Sequence, residues 1–173
     1  MAAARRTVES MKANVLVVAN RTAASPDLIA CLRERAERSP ARFDLLIPPT
    51  APGEEGRAHA RQALDAALAA YAEAGLEAAG DVGTATDPVI ATCEAYRPNR
   101  HDEIIVSTLP AGASHWLSLD GPARIGRRTG ALVRHVESRP PRPAPTVDHI
   151  EKPRSQGVLT PFVALGYGGR RHS

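Results

Sequence analysis

Branched aliphatic residues in this chain gather into short runs, and the stretches between them place apolar residues at helical spacing. Asn14 to Ala19 (NVLVVA) is unbroken from Val15 onward, as a strand covered on both faces requires. Phe43 to Ile47 (FDLLI) repeats the pattern, and Pro48-Pro49 ends it because proline cannot continue a hydrogen-bond ladder. Leu76 to Val82 is weaker, since Ala78, Ala79 and Gly80 offer little to pack, and a sheet edge would suit it. Asp102 to Thr108 carries Ile104, Ile105 and Val106, and Ala131 to Val136 (ALVRHV), entered through Gly130, makes the last run.

The intervening stretches read as helices. Ser25-Pro26-Asp27 supplies an N-cap, a proline at the first helical position and an acid in the first turn. A helix to about Glu37 follows, with Leu28, Ile29, Cys31 and Leu32 inward and Arg33, Glu34, Arg35 and Glu37 outward. The loop from Thr50 to Gly56 is polar and expected to be mobile. Arg57 to Ala74 is alanine-rich, with Leu64, Leu68 and Tyr71 at helical spacing and Gly75 as a stop. Asp87-Pro88 repeats the cap and proline before a helix carrying Val89, Ile90, Cys93 and Tyr96, which ends before Pro98. After the fourth run the pattern predicts a short helix, Ala113 to Leu119, a break at Gly121-Pro122, and a second short helix, Ala123 to Arg128.

Such alternation predicts one α/β domain over residues 14–137, a three-layer sandwich in which a five-stranded parallel sheet carries helices on both faces. Residues 1–13 read as a flexible leader. Residues 138–173 form a Pro/Arg-rich extension opening with SRPPRPAP, whose prolines favour an extended chain. Beyond it, Val158, Leu159, Phe162, Val163, Leu165 and Tyr167 are apolar enough to dock on a sheet edge or a second subunit; a tail without a fold is the other reading.

Charge sharpens this division. The net +3 conceals a tail of +4 from Ser138 onward and a remainder of −1, so only the tail offers an electrostatic reason to bind nucleic acid. No apolar run approaches the ~20 residues of a membrane span, and the first twelve residues lack the apolar segment of a secretory signal. A soluble cytoplasmic protein is expected. Cys31 and Cys93 fall among apolar neighbours without CxxC or Cys/His spacing, and read as inert core thiols.

Candidate chemistry centres on the turn from Ser107 to Gly112, because open α/β sheets bind ligands at the carboxyl ends of their strands. Ser107, Thr108 and Gly112 suit an anion loop, whereas Pro110 lacks an amide donor and fits an ordinary strand-to-helix connection. Asn20, both donor and acceptor, suits an adenine or ribose edge and equally a cap on its own turn. His115 and Trp116 read as a general acid beside a base-stacking tryptophan, or as half-buried packing on a short helix. Arg21, Arg124, Arg127 and Arg128 face either phosphate or solvent. His135 shares a strand face with Val133, which would put it in a subunit interface. No nucleophile elbow, paired catalytic carboxylates, HExxH, Walker sequence or dinucleotide fingerprint occurs, so no motif indicates an enzyme.

Taken in order, VLVVAN, FDLLIPP, TDPVIATCEAY, DEIIVSTLP and ALVRHV resemble the universal stress proteins, of the adenine nucleotide alpha-hydrolase-like (HUP) superfamily, over Asn14 to Val136. The resemblance implies strand order 3-2-1-4-5, a role in stress responses, and homodimers formed through the last strand. It also implies a ligand mouth at Asn20, Ile47, Ser107, Thr108, Ala111, Gly112 and Gly121, with an adenine nucleotide as the ligand; no cofactor or metal is otherwise assigned. Nucleotide-binding members carry an aspartate after the first strand and G-x2-G-x9-G-[S/T] after the fourth. Here Asn20 replaces the aspartate; Thr108 and Ala111 stand at the first two glycines when Gly121 is the third, and Pro122 replaces the hydroxyl residue. Counting from the strand start puts Ser107 and Pro110 there instead. The expectation is a binding or regulatory domain with a degenerate nucleotide site. Two alternatives stand beside it: a slow nucleotide hydrolase using water near Ser107 and Thr108, and an adaptor acting through the basic tail.

Overall fold

The apolar runs become five parallel strands, β1 (Ala13–Val18), β2 (Ala41–Ile47), β3 (Ala78–Val82), β4 (Glu103–Thr108) and β5 (Val133–Glu137), arranged β3-β2-β1-β4-β5. The computed structural model describes residues 12–110 and 120–141. Outside them lie the leader to residue 11, the short helix expected over Ala113 to Leu119, Ala111, Gly112, His115, Trp116 and the tail from Arg142. The strand order, and the edge position of the small-residue strand β3, are as the sequence implied. No helix among the described residues is long and apolar enough to cross a membrane.

Among the described residues four helices cover the sheet, α1 (Pro26–Arg38), α2 (Gly53–Glu73), α3 (Pro88–Ala95) and α4 (Gly121–Thr129). Period-two alternation sends Val15, Val17, Phe43, Leu45, Ile47 and Ile105 to one face, where Leu28 and Leu32 of α1 and Leu64 and Tyr71 of α2 meet them. Leu16, Val18, Leu46, Ile104 and Val106 face the other way, onto Val89 of α3 and Ile125 of α4. Helix caps follow the sequence: Ser25 Oγ accepts from Asp27 N–H at 3.1 Å, and Asp87 Oδ1 accepts from Val89 N–H at 2.8 Å and Ile90 N–H at 3.1 Å. An Arg35–Glu103 ion pair, both side chains largely buried, joins α1 to the start of β4.

Two local expectations change. Helix α2 starts at Gly53, so the second half of the loop expected over Thr50 to Gly56 is its first turn. Glu54 and Glu55 complement the dipole there, and Gly56 lets the chain fold back: a Cβ at that position would lie 2.0 Å from the Ala51 carbonyl oxygen. The helix expected over Ala123 to Arg128 is α4, and it begins two residues earlier, so Pro122 lies in its first turn, where a missing N–H removes no intrahelical bond, and not in the break before it.

Glycine at 80 has a packing reason too. A Cβ would sit 2.5 Å from the Leu45 carbonyl oxygen and 2.7 Å from Leu64 Cδ1, so its absence lets α2 settle on the β2–β3 pair. Cys31 is buried and Cys93 half-buried, both unpaired with another cysteine. Burial pushes the Cys31 thiol above its ordinary value, Arg134 opposing, which keeps it in the unreactive neutral form.

Candidate functional site

The carboxyl ends of β1 and β4 adjoin at the point where the strand order reverses, with β2 on one side and β5 on the other. Asn20 follows β1, half-buried, and its Nδ2 donates to the Pro48 carbonyl at 2.5 Å, tying the turn after β1 to the turn after β2. Ile47 ends β2 fully buried in the core beneath α2. Ser107 and Thr108 end β4, and alternation sends their side chains to opposite faces.

Ser107 is 1% exposed, and its Oγ lies 2.9 Å from both Thr22 Oγ1 and Ser138 Oγ. Thr22 Oγ1 donates to the Ser107 carbonyl at 3.3 Å. A hydroxyl has one proton, so the chain has one direction: Ser138 donates to Ser107, Ser107 to Thr22, and Thr22 to the backbone of β4. Three hydroxyls from the β1–α1 turn, β4 and the segment after β5 thus satisfy one another beneath the crevice. Two backbone bonds complete the brace: Ser138 N–H to the Thr108 carbonyl at 2.7 Å, and Arg139 N–H to Asp27 Oδ2 at 2.9 Å.

On the opposite face Thr108 Oγ1 lies 2.8 Å from His135 Nε2. The ring is exposed, so this hydroxyl–imidazole pair is the chemistry at the β4–β5 end of the mouth. Its signal in the sequence was the two-residue phase that puts Val133 and His135 on one side of β5. Pairing with Thr108 depends on a register, Val106 opposite His135, that no local pattern announces. Gly121 is buried at the start of α4; beside it Asp120 pairs with Arg127 at 2.7 Å, which leaves its carboxyl below the ordinary range. Arg21 and Arg128 are exposed and Arg124 is half-buried.

Two clefts lie away from this crevice. One, of about 340 Å³, opens at the carboxyl ends of β2 and β3, between Pro49 and Pro52 on one side and Thr86, Asp87 and Ile90 on the other. The other, of about 330 Å³, lies against β2 and β3 on the α3 side. At its side a polar cluster escaped sequence reasoning: Asp44 Oδ2 takes His101 Nε2 at 3.1 Å and Arg100 at 3.0 Å, while His101 Nδ1 accepts from Arg97 N–H at 3.0 Å. That backbone bond fixes the neutral tautomer, with the proton on Nε2 and facing Asp44. Asp44 inside the apolar run FDLLI was the available sign. No group of three or more His, Cys, Asp or Glu among the described residues could hold a metal ion.

The architecture finds its match among solved structures. A universal stress protein from Archaeoglobus fulgidus aligns with a TM-score of 0.57 at 12% identity, covering 76% of this chain and 98% of its own. The chain has the universal stress protein fold. A universal stress protein in complex with cAMP aligns at 0.52 with 21% identity over 75% of this chain and 99% of its own. The Archaeoglobus fulgidus protein in complex with dAMP aligns at 0.53 with 11% identity over 73% and 98%. Neither a protein-family model nor a curated protein matches the sequence. At this distance the fold is what the universal stress proteins and this chain share.

Proposed function

We propose that this domain is a binding and regulatory module of the universal stress protein type, whose crevice takes an adenine nucleotide without the usual grip on a polyphosphate. The ligand mouth is the one framed by Asn20, Ile47, Ser107, Thr108, Ala111, Gly112 and Gly121. One observation carries the loss of grip: over β1 and β4 the side chains of Asn20, Thr22, Ser107 and Thr108 are each bonded within the protein. Pro122 also brings neither an N–H nor a hydroxyl to the start of α4, where phosphate oxygens need both. Structural neighbours in complex with cAMP and dAMP support a ligand with a single phosphate. Occupancy of the mouth would bias the conformation or partner affinity of a dimer. A cytoplasmic stress role goes with the same reading.

Calorimetric titration of the full chain with ATP, ADP, AMP and cyclic AMP tests this. The expected result is binding of the monophosphates, with magnesium-ATP no tighter than AMP. A magnesium-dependent preference for ATP of about a hundredfold, near 2.7 kcal/mol, overturns the loss of grip. The same titration reads a second possibility, slow hydrolysis, which rests on the Thr108–His135 contact: an imidazole 2.8 Å from a hydroxyl is placed to take a proton from it or from a water it orders. Conversion of ATP to ADP above background would favour that reading.

Dimerisation through β5 belongs to the same proposal. Among the described residues the strand lies at the sheet edge, and Leu132 just before it is 72% exposed, so pairing with a second copy would satisfy that edge and cover the leucine. Light scattering should give a dimer for the wild-type chain and a monomer for Leu132→Lys. A monomeric wild type rejects this interface.

A further inference from the structure

We infer that the cleft on the α3 side of β2 and β3 is a binding site for a free α-amino acid with an aliphatic side chain, Asp81 taking the ammonium and Arg97 the carboxylate. The inference is independent of the nucleotide reading, because this cleft lies away from the crevice, against the body of β2 and β3 and the turn before β4. At about 330 Å³ it is at the small end of ligand-binding cavities, which suits a small metabolite. Charge in its wall then selects the class. Asp44 and Asp81 stand against Arg97 and Arg100, so the charges of the lining cancel with His101 in its neutral tautomer.

Asp44 is already matched, by Arg100 at 3.0 Å and His101 at 3.1 Å, which leaves one carboxylate and one guanidinium edge for a ligand. Asp81 is exposed, has no bond among the described residues, and shares a sheet face with Leu46 by the β2–β3 register. Arg97 donates from Nη1 to the Glu94 carbonyl at 2.5 Å and the Tyr96 carbonyl at 3.0 Å, at the end of α3. Its Nε and Nη2 remain, the edge that takes a carboxylate side-on through two parallel bonds. A simple cation leaves Arg97 unanswered and a simple anion leaves Asp81 so; a zwitterion answers both. The guanidinium is also set in place before any ligand arrives. The Arg97 N–H is held by His101 Nδ1 at 3.0 Å, and His101, fixed by Asp44, stacks on Tyr96 with ring centres 5.9 Å apart. A fork fixed in this way loses little freedom on binding. Leu16, Leu46, Ala79 and Ala95 complete the wall, an apolar surface for an aliphatic side chain.

The test sets L-leucine against its two halves, isoamylamine, which lacks the carboxylate, and isocaproate, which lacks the ammonium. Titrated into the full chain and followed by amide shifts, leucine should move Ala79, Asp81, Arg97 and His101 and bind at least about tenfold more tightly than either half, since each lost partner is a charged one. Asp81→Asn should bring leucine down to the level of isocaproate and leave isocaproate unchanged. Arg97→Gln should bring leucine down to the level of isoamylamine and leave isoamylamine unchanged. Both side chains are exposed, so both variants should keep the wild-type unfolding midpoint, which separates lost recognition from lost folding. L-Aspartate, which adds a second negative charge, should bind more weakly than leucine; equal binding overturns the aliphatic preference. If either half binds as tightly as leucine, or if each variant weakens both halves alike, recognition of a zwitterion is wrong. If leucine in millimolar excess moves none of the four amides, the site itself is wrong. Titration with AMP bears on the crevice alone, so the two readings fail separately.

Discussion

Tyr71→Ala should cost about 3–5 kcal/mol, the largest stability loss of any single truncation considered for this domain. Tyr71 is fully buried, the largest such side chain among the described residues, and lies between α2 and the β1–β2 half of the sheet. Its hydroxyl donates to the Ala23 carbonyl at 2.8 Å, so truncation opens a cavity and strips a buried backbone acceptor of its partner. Tyr71→Phe separates the two effects: packing survives, the donor goes, and about 1–2 kcal/mol should be lost. Domains of this size hold only about 5–15 kcal/mol in total, so urea unfolding followed by circular dichroism will show the alanine variant losing a large share of it. A midpoint shift for Tyr71→Ala no larger than that of Tyr71→Phe would show that the cavity does not form as argued.

The hydroxyl of Tyr71 also holds the β1–α1 turn, where Ala23 sits three residues beyond Asn20. Burial raises the phenol's pKa above its ordinary value. The sign follows: the neutral form is favoured by folding, its stability is fully present below the unfolded-state value near ~10, and it declines as pH rises above that. Alkaline unfolding should therefore loosen the turn that borders the ligand mouth.

Much of the architecture was legible because each strand and helix carries its own local signal. The apolar run FDLLI ends at Pro48-Pro49, Ser25 and Asp87 precede prolines, and small residues mark the edge strand; none of these depends on a partner far along the chain. Pro122 shows the limit of local reading: a proline suits both the break before a helix and the helix's first turn, and here it takes the second, moving the start of α4 by two residues. The site was legible as a place and not as chemistry. That Asn20, Ser107 and Thr108 stand at strand ends follows from sequence; that they are bonded to Pro48, to Thr22 and Ser138, and to His135 follows from strand register and from the path of the chain after β5. Separations of 28, 85, 31 and 27 residues leave no periodicity to read. Asp44 and His101 were missed for the same reason, 57 residues apart and joined only when β2 lies next to the turn before β4.

Ser107→Ala should cost about 2–3 kcal/mol although it removes a single oxygen, because that oxygen is the middle member of a buried hydroxyl chain. Thr22 is 2% exposed and Ser138 0%, so once Ser107 is gone neither hydroxyl reaches water to replace the lost bond. Thr22 keeps its bond to the Ser107 carbonyl and loses only a donor; Ser138 loses its acceptor, so most of the penalty falls there. Adding Ser138→Ala to Ser107→Ala should therefore recover part of the loss, the signature of an orphaned buried group as opposed to lost packing. The pair also distinguishes framework from ligand contact. A hydroxyl beneath the crevice should change the unfolding midpoint and leave AMP affinity alone, whereas a hydroxyl on the ligand should change affinity and leave the midpoint alone. Urea unfolding and calorimetry on the same preparations decide it, and a Ser107→Ala variant of unaltered midpoint with weakened AMP binding would move Ser107 from the brace to the binding surface.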